Sequence, residues 1–188
     1  MRETALLERL VETTREYPSW HVLRQAVQDG RTVHLAVMVE PFLSYILGGK
    51  KSIESRFSKH AIAPFYQIEP DDLVLLKLSG GPVVGCFDTD TVEFVALNEE
   101  ERDRLQRHYS VAICADGDFW HARQDKRYAT LVGVNNVHML EPAPVAKSDR
   151  RGWVVLQPRR ANHDADQRRR RGDRLSVISS SDLTDLPS

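Results

Sequence analysis

The sequence EPFLSYILGGKKSIESR, at residues 40–56, carries more information about the fold than any other stretch of this chain. Pro41 stands where the first turn of a helix tolerates proline, and Phe42 and Ile46 follow at helical spacing. The glycine pair at 48–49 then ends this helix, because glycine adopts the left-handed conformation of a helix C-terminus without steric cost. The segment therefore predicts a short helix followed by a sharp bend.

Beyond the glycines the residues alternate in polarity, which predicts an extended chain with two different faces. The polar face carries Ser52, Glu54 and Arg56. Lys51 lies at the bend, and its side chain could turn from there into a cleft lined by this polar face. Arginine offers a planar fork for phosphate or carboxylate, and glutamate either accepts from an exocyclic amine or orients the arginine. The row predicts a nucleotide or anion site, although a solvated strand face with a Glu54–Arg56 pair explains the same residues.

Two helices are predicted before the first strand. Residues 2–16 carry apolar side chains at helical spacing, and Ser19 is placed to cap a second helix over 20–28. We therefore expect residues 1–30 to form a helical hairpin that packs on the main domain as an N-terminal extension.

Short apolar runs, several with period-two alternation, predict the strands of the main domain. These strands span residues 33–39, 73–78, 83–87, 92–97, 130–139 and 152–156. Residues 88–91 predict a turn between two of them. Asn98 and Glu101 form a capping box at the start of one further helix, and 118–126 predict another. This order predicts an α+β fold whose short strands curl into a small β-barrel with peripheral helices.

Charge is distributed unevenly along the 188-residue chain, which has 26 Lys and Arg against 27 Asp and Glu. Residues 1–156 have a balance of −3, whereas residues 157–188 have +2, with arginine crowded into 159–174. Apolar periodicity stops after Leu156, so we expect a disordered tail over 158–188. Its arginine-rich first half is either a solvated linker or an electrostatic arm for a polyanion.

Composition excludes several classes of protein. The two cysteines are too few for a disulfide framework or a four-thiolate zinc site, and the seven histidines form no metal-binding spacing. No apolar run approaches the roughly 20 residues of a membrane span. The N-terminus also lacks the apolar core of a signal peptide. We therefore expect a cytoplasmic protein with no metal, no cofactor and no membrane partner.

The polar residues after the short helix match a known signature. The pattern G-x-K-x-x-E-x-R is met, position by position, by Gly49, Lys51, Glu54 and Arg56. This stretch resembles the signature of the ASCH domain family, which belongs to the PUA-like superfamily. The resemblance implies a PUA-type β-barrel with a basic cleft beside it. It also implies RNA binding, because ASCH domains are regarded mainly as RNA-binding modules.

The resemblance continues outside the motif. Residues 71–75 resemble a turn-and-strand element of the family, and residues 128–132 and 147–156 look like the closing strands of one bacterial branch. The likeness covers about residues 32–157, so we expect an ASCH domain over 31–157.

One small branch resembles this domain but hydrolyses the amide of an acetylated cytidine. Its members use a lysine, a threonine three residues later and a distant glutamate. Lys51 matches the lysine, whereas Glu54 occupies the threonine position. A carboxylate cannot replace a hydroxyl nucleophile in simple amide hydrolysis. If the chain is an enzyme, Lys51 and Glu54 would be its acid–base groups.

Further candidates for contact with a nucleic acid lie elsewhere in the sequence. They are Lys77, Trp120, Arg123, Arg127 and Tyr128. Trp120 and Tyr128 offer rings for base stacking, and the cations offer contacts to phosphate. Structural alternatives exist, since Trp120 could pack its helix onto the barrel and Lys77 could face solvent at a sheet edge.

We expect a nucleic-acid-binding module that uses the cleft beside the barrel, with RNA as the first expected partner and another nucleic acid or a nucleotide as the next. The main alternative is a hydrolase, of amidohydrolase or ribonuclease type, that acts on a modified nucleoside or on RNA. The second alternative is a protein-interaction or small-ligand domain. Binding is favoured over catalysis, because no hydroxyl stands where the hydrolytic branch keeps its threonine.

Overall fold

The computed structural model describes residues 2–145 and 150–159, which contain a six-stranded mixed sheet with helices packed around it. The helices are α1 (Arg2–Thr13), α2 (His21–Gln28), α3 (Phe42–Leu47), α4 (Glu99–Ile113) and α5 (Gly117–His121), with a 3₁₀ turn at Pro18–Trp20. The strands are β1 (Val33–Met38), β2 (Ile53–Ser58), β3 (Leu73–Leu78), β4 (Val83–Ala96), β5 (Tyr128–Ala143) and β6 (Trp153–Gln157). The α+β class predicted from the sequence is confirmed.

The strands lie in the order β2–β5–β4–β3–β1–β6. Only β1 and β3 run parallel, and the other neighbouring pairs are antiparallel. Although β2 and β6 are the two ends of the sheet, the Arg56 side chain on β2 donates to the main-chain oxygens of Val37 on β1 and Gly152 beside β6. The sheet therefore curls into a half-barrel whose ends approach each other.

The strand β4 is continuous over 14 residues, where the sequence predicts two strands joined by a turn at 88–91. Asp88 pairs with Leu73 of β3 on one side and with Asn135 of β5 on the other, so the chain does not reverse there. Register shifts before and after this point bend the strand. The turn-forming residues thus produce bulges, which let β4 and β5 follow the curvature of the half-barrel.

The predicted N-cap of α4 is confirmed, and that of α2 is wrong. The Asn98 side chain accepts from the main-chain N–H of Glu101 at 2.8 Å, as an N-cap should. By contrast, α2 begins at His21 without a side-chain cap. The hydroxyl of Ser19, the predicted cap, instead bonds to the carboxylate of Glu141 on β5. This contact ties the N-terminal helices to the sheet.

The helix predicted over 118–126 is shorter in the structure, because α5 ends at His121. The Arg123 guanidinium donates to the carbonyl of Phe119 at 2.8 Å. A longer helix would need that carbonyl for the main-chain N–H of Arg123, which bonds instead to Trp120. The Arg123 guanidinium thus occupies the carbonyl that the next helical hydrogen bond would use. The chain continues in turns after α5.

Apolar side chains cover both faces of the sheet. The N-terminal helices contribute Leu7, Leu10, Leu23 and Ala26 to one cluster. The helices α4 and α5 contribute Leu105, Ile113, Phe119 and Trp120 to a second cluster with β4 and β5. The helix α3 contributes Leu43 and Ile46 to a third, inside the half-barrel. These clusters hold β2 between α4 on one face and the interior of the half-barrel on the other.

Two residues of the tail predicted over 158–188 fall within the described part of the chain. Pro158 and Arg159 are in neither a helix nor a strand, and the rest of the predicted disordered tail lies outside the described residues. In the described ranges, the helices are all too short or too polar to cross a membrane.

Candidate functional site

Three charged side chains meet at the start of β2. The Nζ of Lys51 lies 3.5 Å from Oε2 of Glu54, and the Nε of Arg56 lies 2.8 Å from Oε1 of the same carboxylate. Glu54 and Arg56 share a strand face because they are two residues apart. Gly49 has a φ of 73°, and the N–H of Lys51 bonds to the carbonyl of Tyr45, which fixes the bend. The spacing in the sequence correctly places these three side chains together.

Two of the three side chains are buried. Lys51 is 2% exposed and Glu54 is 3% exposed, so the expectation that both lie open to solvent is wrong. The Lys51 ammonium also donates to the carbonyl of Ile113 at 2.9 Å, where a cation offsets the partial negative charge at the end of α4. Burial lowers the pKa of the Lys51 ammonium, and the Glu54 carboxylate partly opposes this shift.

Glu54 orients Arg56, which is one of the two roles that the sequence leaves open for it. Both carboxylate oxygens face cations, and the side chain has almost no surface left for the amine edge of a base. The Nε–H of Arg56 is buried and is not directed at the Glu54 oxygen, so the contact is an ion pair without a hydrogen bond.

Arg56 is the member of the group that reaches solvent, with 21% of its side chain exposed. Its Nη2 donates to the carbonyl of Val37 at 3.1 Å and to Sδ of Met38 at 2.9 Å. Its Nη1 donates one hydrogen to the carbonyl of Gly152 at 3.3 Å. The guanidinium also lies 5.0 Å from the ring centre of Trp153. Arg56 is therefore held from several sides, while the second hydrogen on Nη1 has no acceptor among residues 2–145 and 150–159 and is left for another partner.

A buried polar chain, which the sequence analysis missed, holds Trp153 in place. The indole Nε1–H donates to Nδ1 of His34 at 3.1 Å, and Nε2 of His34 lies 3.0 Å from Oδ2 of Asp72. An indole nitrogen can only donate, so His34 is the neutral tautomer that donates from Nε2 to Asp72. The other oxygen of Asp72 accepts from Arg159 at 2.9 Å. The pairing of β1 with both β3 and β6 brings these residues together, and their spacing in the sequence carries no signal of it.

Arg123 adds a third cation near Glu54. Its guanidinium carbon lies 3.5 Å from the ring centre of Phe119. Burial lowers the pKa of the Arg123 guanidinium, and the negative charge of Glu54 opposes that shift. Three cations, those of Lys51, Arg56 and Arg123, therefore act on the carboxylate of Glu54. This part of the chain is locally positive although residues 1–156 have a balance of −3.

Two predicted contact residues have structural partners instead. Trp120 is 9% exposed, packs edge-on against Phe57 with ring centres 5.8 Å apart, and donates to the hydroxyl of Ser110. It packs α5 on the sheet and offers no open face to a base. Lys77 is 7% exposed, and its ammonium donates to the carbonyl of Gly81 at 2.7 Å. That ammonium binds the turn between β3 and β4, so the expectation of a solvent-facing or phosphate-binding side chain is wrong.

The remaining predicted residues are accessible. Ser52 is exposed just before β2, and Arg127 is exposed just before β5. Tyr128 is half-buried, and its ring centre lies 5.0 Å from that of Phe65. These three remain available to a ligand. In the described residues, no group of three or more His, Cys, Asp and Glu is arranged to hold a metal ion.

Comparison with known structures identifies the fold. A crystal structure of the ASCH protein from Zymomonas mobilis superposes with a TM-score of 0.53 and 11% identity, covering 74% of this chain and 94% of that one. A serine-to-alanine variant of the same protein gives a TM-score of 0.54 and 10% identity, covering 76% and 97%. No protein-family model matches the sequence, and no curated protein matches it. The chain therefore has an ASCH-like fold.

Proposed function

We propose that this chain is an RNA-binding module that contacts the RNA backbone at Arg56, at the opening of the half-barrel. The observation that carries the proposal is the group of charges at β2. Glu54 is buried between Lys51 and Arg56, and Arg123 lies near enough to act on it electrostatically. The cations outnumber the carboxylate that they share, and the most exposed member of the Lys51–Glu54–Arg56 group is Arg56.

The setting of Arg56 suits phosphate recognition. A guanidinium that is already fixed loses little side-chain entropy when it binds an anion. Main-chain carbonyls of Val37 and Gly152 fix the guanidinium of Arg56 from across the half-barrel opening, and Glu54 fixes it from its own strand. A phosphate oxygen at the free Nη1 hydrogen would form a charge-assisted hydrogen bond, which is among the stronger contacts that proteins make.

Replacement of Arg56 with alanine should lower the affinity for an unstructured RNA by about 1–3 kcal/mol, or roughly 5- to 150-fold. Arg56→Lys should lose part of this affinity, because lysine keeps the charge but not the fork. The measurement is a fluorescence-anisotropy titration at several salt concentrations. Since Arg56 also joins the ends of the half-barrel, each variant is first checked by circular dichroism for an intact fold.

Arg107→Ala is the matched control, because Arg107 is exposed on α4, so its loss removes the same charge from a different surface. We expect it to change the affinity and the salt dependence only slightly. Equal effects of Arg56→Ala and Arg107→Ala on affinity would contradict a specific role for Arg56.

A hydrolase that acts on a modified nucleoside or on RNA is the second candidate, and one observation favours it. A buried lysine with a lowered pKa beside a carboxylate is an arrangement found at acid–base sites. However, the Lys51 ammonium already donates to a main-chain carbonyl and is almost fully buried. The test is turnover of acetylated cytidine and of RNA. Turnover that Lys51→Met abolishes, in a variant that keeps its fold, would favour the enzyme over the binding module.

A further inference from the structure

Four aromatic side chains form a continuous cluster next to the candidate site. The ring centre of Phe65 lies 4.4 Å from that of Tyr66, 5.5 Å from that of Phe94 and 5.0 Å from that of Tyr128. The ring centres of Tyr66 and Phe94 are 4.7 Å apart. We call these four residues the aromatic cluster. Three of its members are buried or half-buried, so the cluster is a packed support and not a loose group of exposed rings.

Tyr66 is the exposed member of the aromatic cluster, with 75% of its surface open to solvent. Its φ is 55°, a left-handed conformation that is unusual for a residue with a large side chain. A tyrosine that is strained and exposed stabilises the fold less than a glycine or asparagine at the same place would. Since the ring rests on Phe65 and Phe94, the fold holds an open aromatic face in a fixed position.

The aromatic cluster lies on the same face of the sheet as Arg56. In the register of the sheet, Arg56 on β2 is opposite Thr130 on β5, and Thr130 is opposite Phe94 on β4. Residues directly opposite each other in antiparallel strands project to one face. Two strand spacings separate Arg56 from Phe94, which is about 10 Å between their backbones. Arg56, the proposed phosphate contact, and the aromatic cluster are thus neighbours on one face of the sheet.

A further exposed cation is the chain neighbour of one member of the aromatic cluster. Arg127 is exposed and directly precedes Tyr128. No ion pair joins the Arg127 side chain to another residue in 2–145 or 150–159. An exposed ring with an arginine on the same face of the sheet suits a polymer of alternating bases and phosphates better than it suits an apolar protein surface.

We propose that Tyr66 stacks on an unpaired base of single-stranded RNA whose adjoining phosphate is bound by Arg56. The inference rests on the proposed function and narrows the class of ligand. Bases inside a duplex are already stacked and offer no free face to a tyrosine, whereas unpaired bases do. The site therefore favours single strands over duplexes, with little dependence on which base is present, because every base has an aromatic face.

The experiment measures the affinity of the full chain for three probes. They are a ten-nucleotide oligouridine, a ribose-phosphate chain of the same length without bases, and a blunt RNA duplex. The variants are Tyr66→Ala and Tyr66→Phe. Tyr17→Ala is the matched control, since Tyr17 is also an exposed tyrosine, at 41%, and lies between α1 and α2. Tyr66 is largely in solvent, so its truncation leaves the buried rings in place, and near-ultraviolet circular dichroism verifies this.

We expect Tyr66→Ala to weaken binding of oligouridine by about fivefold or more and to leave binding of the base-free chain unchanged. Tyr66→Phe and Tyr17→Ala should both bind like the wild type. Two results would show that Tyr66 does not stack on a base, while RNA binding by the wild type would stand. In the first, Tyr66→Ala binds oligouridine as tightly as the wild type does. In the second, it loses as much affinity for the base-free chain as for oligouridine. If the wild type binds none of the three probes, the proposed function itself fails.

Discussion

Glu54→Gln should lower the free energy of unfolding by about 3–5 kcal/mol. The substitution removes the charge of Glu54 and leaves the charge of Lys51 buried without its ion-pair partner. The glutamine side chain has nearly the same shape as that of glutamate, so no cavity forms. The Lys51 ammonium would remain 2% exposed with the carbonyl of Ile113 and no carboxylate beside it. Urea denaturation followed by circular dichroism measures the loss.

The control for this prediction is Glu93→Gln. Glu93 pairs with Arg104, but both side chains are about one third exposed, so the loss should stay within about 1 kcal/mol. The double variant Lys51→Met with Glu54→Gln should recover part of the lost stability, because it removes the unpaired charge. A loss for Glu54→Gln no larger than that for Glu93→Gln would show that Glu54 is not the centre of a buried group.

Asp72→Asn is the second substitution with a large expected effect. The Asp72 carboxylate is 1% exposed and accepts from Nε2 of His34, the main-chain N–H of Glu69 and the guanidinium of Arg159. The asparagine amide keeps one acceptor oxygen and turns two hydrogens towards these donors. Since a buried hydrogen bond to a charged group contributes about 1.5–3 kcal/mol, we expect a loss of at least about 3 kcal/mol. Trp153 should also lose its fixed orientation, which near-ultraviolet circular dichroism would report.

The stability that Asp72 contributes should depend on pH in a defined direction. Burial acts to raise the pKa of Asp72, but the hydrogen bonds from His34, Glu69 and Arg159 outweigh it and hold the pKa below its ordinary value of 3.8. The folded protein therefore binds this proton less readily than the unfolded chain does. The advantage of the wild type over Asp72→Asn should be constant above about pH 5 and shrink as the pH falls below about 4. An advantage that grows on acidification would contradict this assignment.

Local patterns in the sequence predict the parts of the site that depend on neighbouring residues. The period of two places Glu54 and Arg56 on one face, and the glycine bend lets Lys51 join them. Burial of the pair depends on α4, whose end lies about 60 residues later and supplies the carbonyl of Ile113. Local spacing contains no information about that partner, so the sequence predicts an open cleft where the structure has a covered ion pair.

Other differences have the same origin. The residues at 88–91 have turn chemistry, but strands on both sides hold them in a bent strand. Trp153 belongs to a strand predicted from its apolar pattern, and only the pairing of β6 with β1 places its ring beside Arg56. Tyr66 lies in a segment without periodicity, so its exposure and its support by Phe94 are visible in the structure alone.

The claim that RNA binds at the opening of the half-barrel is tested most directly by mapping the bound surface. The full chain, labelled with nitrogen-15, is titrated with a short unstructured RNA while its amide resonances are followed. We expect the largest shifts at Arg56, Thr130 and Trp153 and in the loop around Tyr66, and we expect them to saturate with one affinity. Shifts that are confined to α1 and α2, or that leave β2 unchanged at saturation, would contradict it.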